Sequence, residues 1–308
     1  MRILATLIVG AAFGLAACGS SAGREPSGDL HIGMAVSTLN NPYFVQFRDG
    51  AEAAAQNFGV KLTVTDAHND TAQQADQIKG FTGQKMKAII INPVDSKAVG
   101  PAVKAATQLS IPVIAADRTV NGAEVAETLT SDNVTGGKLG AQELAKQLGG
   151  KGEVVVLEGT AGTSASFDRS RGFAEGIAAY PDIKVVAKQR ADFHRGKGRQ
   201  AMASLIRSHP DVTGVFAEND EMALGAAQAL GPKAGQQVKV VGFDGTPDGI
   251  KAVQAGTLTA TVAQQPRLLG WQAVDSAIKA ARGQIIAKSV AIPVKVATKE
   301  NARQFWTF

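Results

Sequence analysis

The stretch Leu30–Phe44, LHIGMAVSTLNNPYF, decides the fold. Leu30 to Val36 is an apolar run that reads as a strand. It is followed by a polar break from Ser37 to Asn41, and then by Pro42, placed where the first turn of a helix tolerates a missing N–H. The periodicity beyond it predicts a helix from Pro42 to Phe58. Strand, turn and helix in that order open a βαβ unit. Tyr43 and Phe44 stand where the chain leaves the strand, an odd place to keep two aromatic rings if their purpose were to fill a core.

Working outward, the same rhythm continues. VKLTVTD reads as the second strand, a helix is expected from about Thr71 to Gln84, and AIIIN is continuous and apolar, as a buried parallel strand should be. Asp95 onward is expected to be helical, and PVIAAD is a fourth strand. After the alternating EVAETLTS the cycle restarts beyond Asp132, with EVVVLEG, IKVVAKQ, GVFAE and VKVVGFD separated by helices. LTATVAQ, a helix from about Pro266 to Arg282, and VAIPVKVAT read as one last strand complete the chain. These are two similar α/β halves, each a doubly wound parallel sheet. The surplus elements at the end return to cover the first half, so the chain crosses between lobes more than once.

The composition is that of a folded protein: 308 residues, 44% hydrophobic and 19% charged, enough for two full cores. The start is different in kind. Arg2 precedes an apolar run too short to span a bilayer comfortably, ending in small residues, which is the pattern of an export signal over residues 1–17. LAAC, Leu15–Cys18, resembles a bacterial lipobox; Cys18 is the only cysteine, so no disulfide can form within the chain, and it stands where lipid would be attached. An ordinary cleavable signal with an incidental cysteine is the alternative. Residues 18–28, rich in Ser and Gly, read as a tether. The net charge of +5 is spread along the chain without a basic block, so nucleic acid is not an expected partner.

In doubly wound sheets ligands bind in the crevice outside the carboxyl ends of the strands. The residues at those exits are Ser37, Asn41, Tyr43 and Phe44; Asp117 and Arg118; Arg169, Phe193, Asn219, Phe243 and Asp244; and Gln264. Aromatic rings alternate there with charged and amide groups.

These residues and the motifs STLNNPYF, INPVDSKAVGPAVK, IPVIAADR, SDNVTGGK, AGTSAS, HPDVTGVFAENDEMALGA and VVGFDGTPDG resemble the periplasmic sugar-binding proteins of ABC transporters, the ribose-binding type among them, over essentially the whole mature chain. The resemblance implies two α/β lobes joined by a three-crossing hinge, 29–131 with 265–292 and 132–264 with 293–308. It implies a sugar pocket at the twelve strand-exit residues named above. Flat rings suit the C–H faces of a sugar, and Tyr43, Phe44, Phe193 and Phe243 are expected to sandwich it, unless Phe44 or Phe243 fills a lobe core instead. Asp117 and Asp244 suit vicinal hydroxyls, Arg118 and Arg169 donate in a fixed fork, and Asn41, Asn219 and Gln264 do both. Balanced charge points to a neutral ligand. D-ribose leads, with allose, psicose or another monosaccharide behind it. Two departures bear on which sugar is bound: Tyr43, where the ribose proteins usually carry phenylalanine, and Phe167, which replaces a basic residue.

No enzyme signature competes. GTSAS, Gly162–Ser166, lacks the last glycine of a nucleophile elbow, which leaves Ser164 as a helix cap. There is no Walker A loop, and His31, His68, His194 and His209 show no ligand spacing, so neither catalysis, metal nor cofactor is expected. Asp117 and Asp244 as glycosidase carboxylates lack an evident general acid. Repressor effector domains share this fold but carry a helix-turn-helix where this chain has a signal and tether. The expectation is an exported monomer, anchored through Cys18 in the periplasm or on the outer cell surface, with a membrane permease and a chemoreceptor as candidate partners.

Overall fold

The computed structural model describes residues 30–305; the signal, the tether and Cys18 lie outside them. In chain order the strands are β1 (His31–Val36), β2 (Lys61–Asp66), β3 (Ala88–Ile91), β4 (Val113–Ala116), β5 (Glu127–Ser131), β6 (Lys151–Glu158), β7 (Asp182–Arg190), β8 (Val212–Ala217), β9 (Lys239–Asp244), β10 (Ala260–Ala263), β11 (Ser289–Ile292) and β12 (Lys295–Thr298). The helices are α1 (Pro42–Phe58), α2 (Thr71–Gly83), α3 (Gly100–Gln108), α4 (Asn133–Gln147), α5 (Ser164–Ile177), α6 (Arg195–Ser208), α7 (Asp220–Leu230), α8 (Pro247–Ala255) and α9 (Pro266–Ala281).

They build two six-stranded sheets, ordered β11-β5-β4-β3-β1-β2 and β12-β10-β9-β8-β6-β7. Pairing is parallel throughout except where β12 runs against β10. Every residue of β3 and β4 is buried, because helices cover both faces of the sheet, and this is why those strands are written as unbroken apolar runs. In each sheet the strand order reverses beside the first strand of its half, β1 against β3 and β6 against β8. The loops leaving those strands diverge there and open a crevice.

The chain passes between sheets three times: between β5 and β6, between β10 and β11, and between β11 and β12. The second passage brings α9 back to pack on α1 of the first lobe. That packing is backbone to backbone. A Cβ on Gly270 would lie 2.0 Å from the Phe47 carbonyl oxygen, and one on Gly50 would lie 2.1 Å from that of Arg267, so only glycine permits the approach. Phe47 is wholly buried beneath it, contributing on the order of 2–3 kcal/mol of hydrophobic stabilisation.

The structure departs from the sequence reading at three places. The helix expected from Asp95 begins at Gly100; Asp95 Oδ1 accepts from the N–H groups of Lys97 and Ala98, and Pro101 has no N–H to return to Lys97, so residues 95–99 close as a separate turn. VAIPVKVAT is two strands in different sheets, broken at Pro293, which cannot donate to a ladder. Helix α8, absent from the sequence reading, had its signals in place: Thr246 caps it, Pro247 sits in its first turn and Gly256 ends it in the left-handed conformation. Among the described residues no helix is long and apolar enough to cross a membrane.

Candidate functional site

On the first lobe, Asn41 is the N-cap of α1. Its Oδ1 accepts from the N–H of Tyr43, which turns the amide nitrogen outward and fixes the helix start. Tyr43 and Phe44 then project from the first turn as an edge-to-face pair, ring centroids 5.2 Å apart and planes at 84°. Register places Ala35 of β1 beside Ile91 of β3, so the two strand exits are neighbours. Asn92, just past β3, uses this: its Oδ1 accepts from Ser37 N at 3.1 Å and its Nδ2 donates to Asp117 Oδ2 at 3.0 Å. Asp117 sits at φ 69°, a strained setting for a non-glycine residue, held by its own N–H donating to Leu129 O at 2.7 Å. Arg118 donates from Nη1 to Pro93 O at 2.7 Å, its Nε is 3.6 Å from Asp117 Oδ2, and its guanidinium lies over the rings of Phe44 and, across the cleft, Phe193. Burial lowers the Arg118 pKa, an effect the Asp117 carboxylate opposes.

On the second lobe Arg169 of α5 is the organising cation. Nε donates to Asn133 Oδ1 at 2.8 Å, and Nη1 donates to Glu218 O at 2.7 Å and faces Asp244 Oδ1 at 3.4 Å. Its guanidinium rests 3.9 Å from the centre of the Phe243 ring. β9 and β10 pair with Asp244 opposite Ala263, so Gln264 follows immediately alongside; Gln264 N donates to Asp244 O and Gln264 Nε2 to Asp244 Oδ1, at 2.9 and 2.6 Å. Those bonds hold Asp244 at φ 120°. Phe193, at φ 57°, is positioned by Asn219, the N-cap of α7, whose Nδ2 donates to Phe193 O at 3.4 Å. Glu218 supports the group from behind, accepting from Gly159 N and from the hydroxyls of Ser166 and Ser170. Burial raises its pKa, against the pull of those three bonds.

Nine of the twelve predicted residues line one space between the lobes: Asn41, Tyr43, Phe44, Asp117, Arg118, Arg169, Phe193, Asn219 and Asp244, with Ala165 completing the wall. Ser37, Phe243 and Gln264 are buried but stand behind it. Phe243 therefore packs under Arg169 in the lobe core rather than against the space, since Val241 and Phe243 share one face of β9 in a cluster with Phe216 and Val262. Phe167 is 68% exposed on α5, beside Arg171, and takes no part. Ser164 is not the helix cap; Thr163 is, and the Ser164 hydroxyl accepts from Thr119 N of the other lobe at 2.9 Å. Asn92, Asn133 and Glu218 were missed, although Asn92 and Glu218 follow strands directly, the same signal that marked the others.

The walls carry two carboxyl groups, Asp117 and Asp244, and two guanidiniums, Arg118 and Arg169, so their formal charges balance. Burial pushes the Asp244 pKa well up; Arg169 opposes that, and Asp220 and Asp117 add to it. Asp220, buried behind Asp244 and accepting from Thr246 and Thr261, is raised to about 6 by burial. A separate, open groove on the first lobe, lined by Lys104, Thr107, Ile111, Glu124 and Ala280 among others, gathers none of the strand-exit residues. Among the described residues no cluster of histidines, cysteines or carboxylates could hold a metal ion.

Two hinged α/β lobes closing on a small chamber of aromatic faces and charge-balanced hydrogen-bonding groups define a bilobal receptor for a small polar solute. Residues 32–285 match the model of the periplasmic binding protein domain, and the chain belongs to that family. It is 43% identical to the ribose import binding protein RbsB of Escherichia coli over 300 residues, 97% of this chain and 99% of that one. It is 32% identical to a xylitol-binding protein of Mycolicibacterium smegmatis over 94% of this chain and 82% of its relative. Among solved structures, an ABC transporter periplasmic solute binding protein from Actinobacillus succinogenes with bound D-allose superposes with a TM-score of 0.85 at 32% identity, covering 89% of this chain and 99% of that one.

Proposed function

We propose that this protein is the substrate-binding component of an ABC importer and captures D-ribose by lobe closure, with the nine chamber residues as its contacts and Ser37, Phe243 and Gln264 as their supports. The chamber carries the reading: aromatic rings, carboxyl groups, guanidiniums and amides from both lobes converge on one space, the lining a single small polyhydroxylated ligand needs. Its aromatic faces suit C–H surfaces. Asp117 and Asp244, one from each lobe, accept from hydroxyls, while Arg118, Arg169, Asn41 and Asn219 donate to sugar oxygens. The balance of formal charges on the walls favours a neutral ligand over a phosphate or a sugar acid. The 43% identity to a ribose import binding protein over nearly the whole chain supports ribose among neutral sugars.

Mechanistically, a sugar docked on one lobe meets its remaining partners only when the other lobe arrives, so its binding free energy favours the closed form. The hinge lies in the three passages, after Ser131, around Gln264 and at Pro293, separating 30–131 with 265–292 from 132–264 with 293–305. The closed face is then what the permease reads. Titration calorimetry against a panel of neutral monosaccharides tests the proposal: D-ribose is expected to bind with micromolar or tighter affinity, about −8 kcal/mol or better. Indifference to every simple saccharide, or conversion of one into product, overturns it.

Closure also joins loops outside the chamber. Ser96 N donates to Gly162 O at 3.0 Å, Ser164 N to Ser96 Oγ at 3.2 Å and Thr119 N to Ser164 Oγ at 2.9 Å. These bonds stabilise the closed state without touching ligand. Ser164→Ala is therefore expected to weaken every sugar by about 2- to 10-fold, the worth of one hydrogen bond, with the order of preference among sugars unchanged. A reordered preference would instead place Ser164 among the ligand contacts. We further propose that the mature chain is a monomer held at the membrane by lipid on Cys18. A Cys18→Ser variant is expected in the soluble fraction, and persistent membrane association counts against the anchor.

A further inference from the structure

Four buried side-chain atoms at or beside the chamber have no hydrogen-bond partner: Ser37 Oγ, Tyr43 Oη, Arg118 Nε and Gln264 Oε1. Arg118 is held through Nη1 and Gln264 through its one side-chain nitrogen, Nε2, and Ser37 lies behind the wall. Tyr43 differs. Its ring lines the chamber, it is only 3% exposed, and its hydroxyl, the one polar atom of the side chain, is unpaired. A buried hydroxyl with no partner costs on the order of 1–3 kcal/mol, whereas a phenyl ring would offer the same face to a ligand at no such cost.

Two groups mark where the hydroxyl sits. Burial first, then the carboxylates of Asp117 and Asp244, with Asp117 also pulling as a hydrogen-bond acceptor, hold the Tyr43 pKa well above that of an ordinary phenol, and Arg169 opposes them. The carboxylates come from opposite lobes and both line the chamber, so Tyr43 Oη lies near the seam where the two half-sites meet. The phenol stays protonated and is a donor there. Asp117 is near enough to draw on its proton, although no partner of Tyr43 Oη meets full hydrogen-bond geometry.

We infer that Tyr43 Oη is a specificity-determining group: it donates to one sugar oxygen held at the lobe seam between Asp117 and Asp244, and so selects monosaccharides that carry a hydroxyl at that ring position. The inference rests on the sugar-binding reading above. A hydroxyl suits the place because it can accept from Tyr43 while donating its own proton to a carboxylate. A deoxy carbon there leaves Tyr43 Oη orphaned and forfeits both bonds.

The test is a double-mutant cycle between protein and ligand: wild type and Tyr43→Phe, each titrated calorimetrically with D-ribose and with analogues that lack each of its ring hydroxyls in turn. Tyr43→Phe is expected to weaken D-ribose about tenfold. For one analogue, already weaker on the wild type, the two proteins are expected to bind alike, which identifies the oxygen concerned. Equal losses across all analogues mean a structural role and overturn the inference, as does unchanged or tighter D-ribose binding by Tyr43→Phe while the wild type binds normally. A wild type that binds none of these sugars instead removes the sugar reading and the inference with it. Unfolding of the two ligand-free proteins at the same denaturant midpoint excludes loss of fold as the cause.

Discussion

Arg169→Ala is expected to lose at least about 2 kcal/mol of sugar affinity, some thirtyfold, and about 3–5 kcal/mol of folding stability. The reasoning begins with burial: the Arg169 side chain is 4% exposed, and so is that of Asp244, its charged partner at 3.4 Å. Truncation leaves the Asp244 carboxylate buried beside Asp220, which already adds to its raised pKa, and strips Asn133 Oδ1 and Glu218 O of their donor. It also uncovers the Phe243 ring, over which the guanidinium lies at 3.9 Å. Arg169→Lys separates the two losses. A lysine restores a positive charge, so much of the stability should return, but one ammonium cannot span Asn133, Glu218 O and Asp244 while also facing the chamber, so affinity should stay low. Denaturant unfolding of the ligand-free proteins reads the first quantity and titration calorimetry the second; wild-type affinity in Arg169→Ala would refute the assignment of Arg169 to the site.

Much of the site was legible through a rule of doubly wound folds, that ligands meet the carboxyl ends of strands and apolar runs reveal where strands end, although Arg169 itself lies within α5, past the end of β6. Asp117, Arg118, Asn219 and Asp244 were found in this way, and the proximity of Tyr43 and Phe44 to the first strand exit explains their place on the chamber wall. What the pattern does not carry is depth. Phe243 and Asp244 are consecutive, yet one faces the lobe core and the other the chamber, because side chains alternate along a strand and only the packed helix α4 decides which side is inside. Helix α4 does this through Gly136, where a Cβ would lie 2.6 Å from the Phe243 ring. The supporting residues were invisible for a related reason. Asn133 is an ordinary first-turn residue until Arg169, thirty-six positions away, is seen to donate to it. The bonds joining Ser96, Thr119, Gly162 and Ser164 exist only between lobes, so nothing local encodes them.

Asp244 should separate charge from hydrogen bonding more sharply than any other position. Its Oδ1 is taken by Gln264 Nε2 and faces Arg169, which leaves Oδ2 for a sugar hydroxyl. In Asp244→Asn the amide must turn its oxygen toward these two donors, because its NH₂ would clash with both, and so it presents a donor to a sugar hydroxyl that had been donating. The sugar can reverse that one bond but loses the strength of a charged acceptor, so a loss of about 10- to 100-fold is expected. Asp244→Ala removes the bond altogether and orphans Arg169 and Gln264, and it should fall beyond 100-fold. The pH dependence has a definite sign. Burial raises the Asp244 pKa in the folded protein, so the protonated carboxyl favours the folded state and that contribution fades as pH climbs from the unfolded value, near 4, through the raised folded one. Wild-type stability relative to Asp244→Asn should therefore decline with rising pH across that window, with Asp220 common to both proteins. A flat difference in denaturant midpoints between pH 4 and 8 would mean that Asp244 is not desolvated as the closed lobes require.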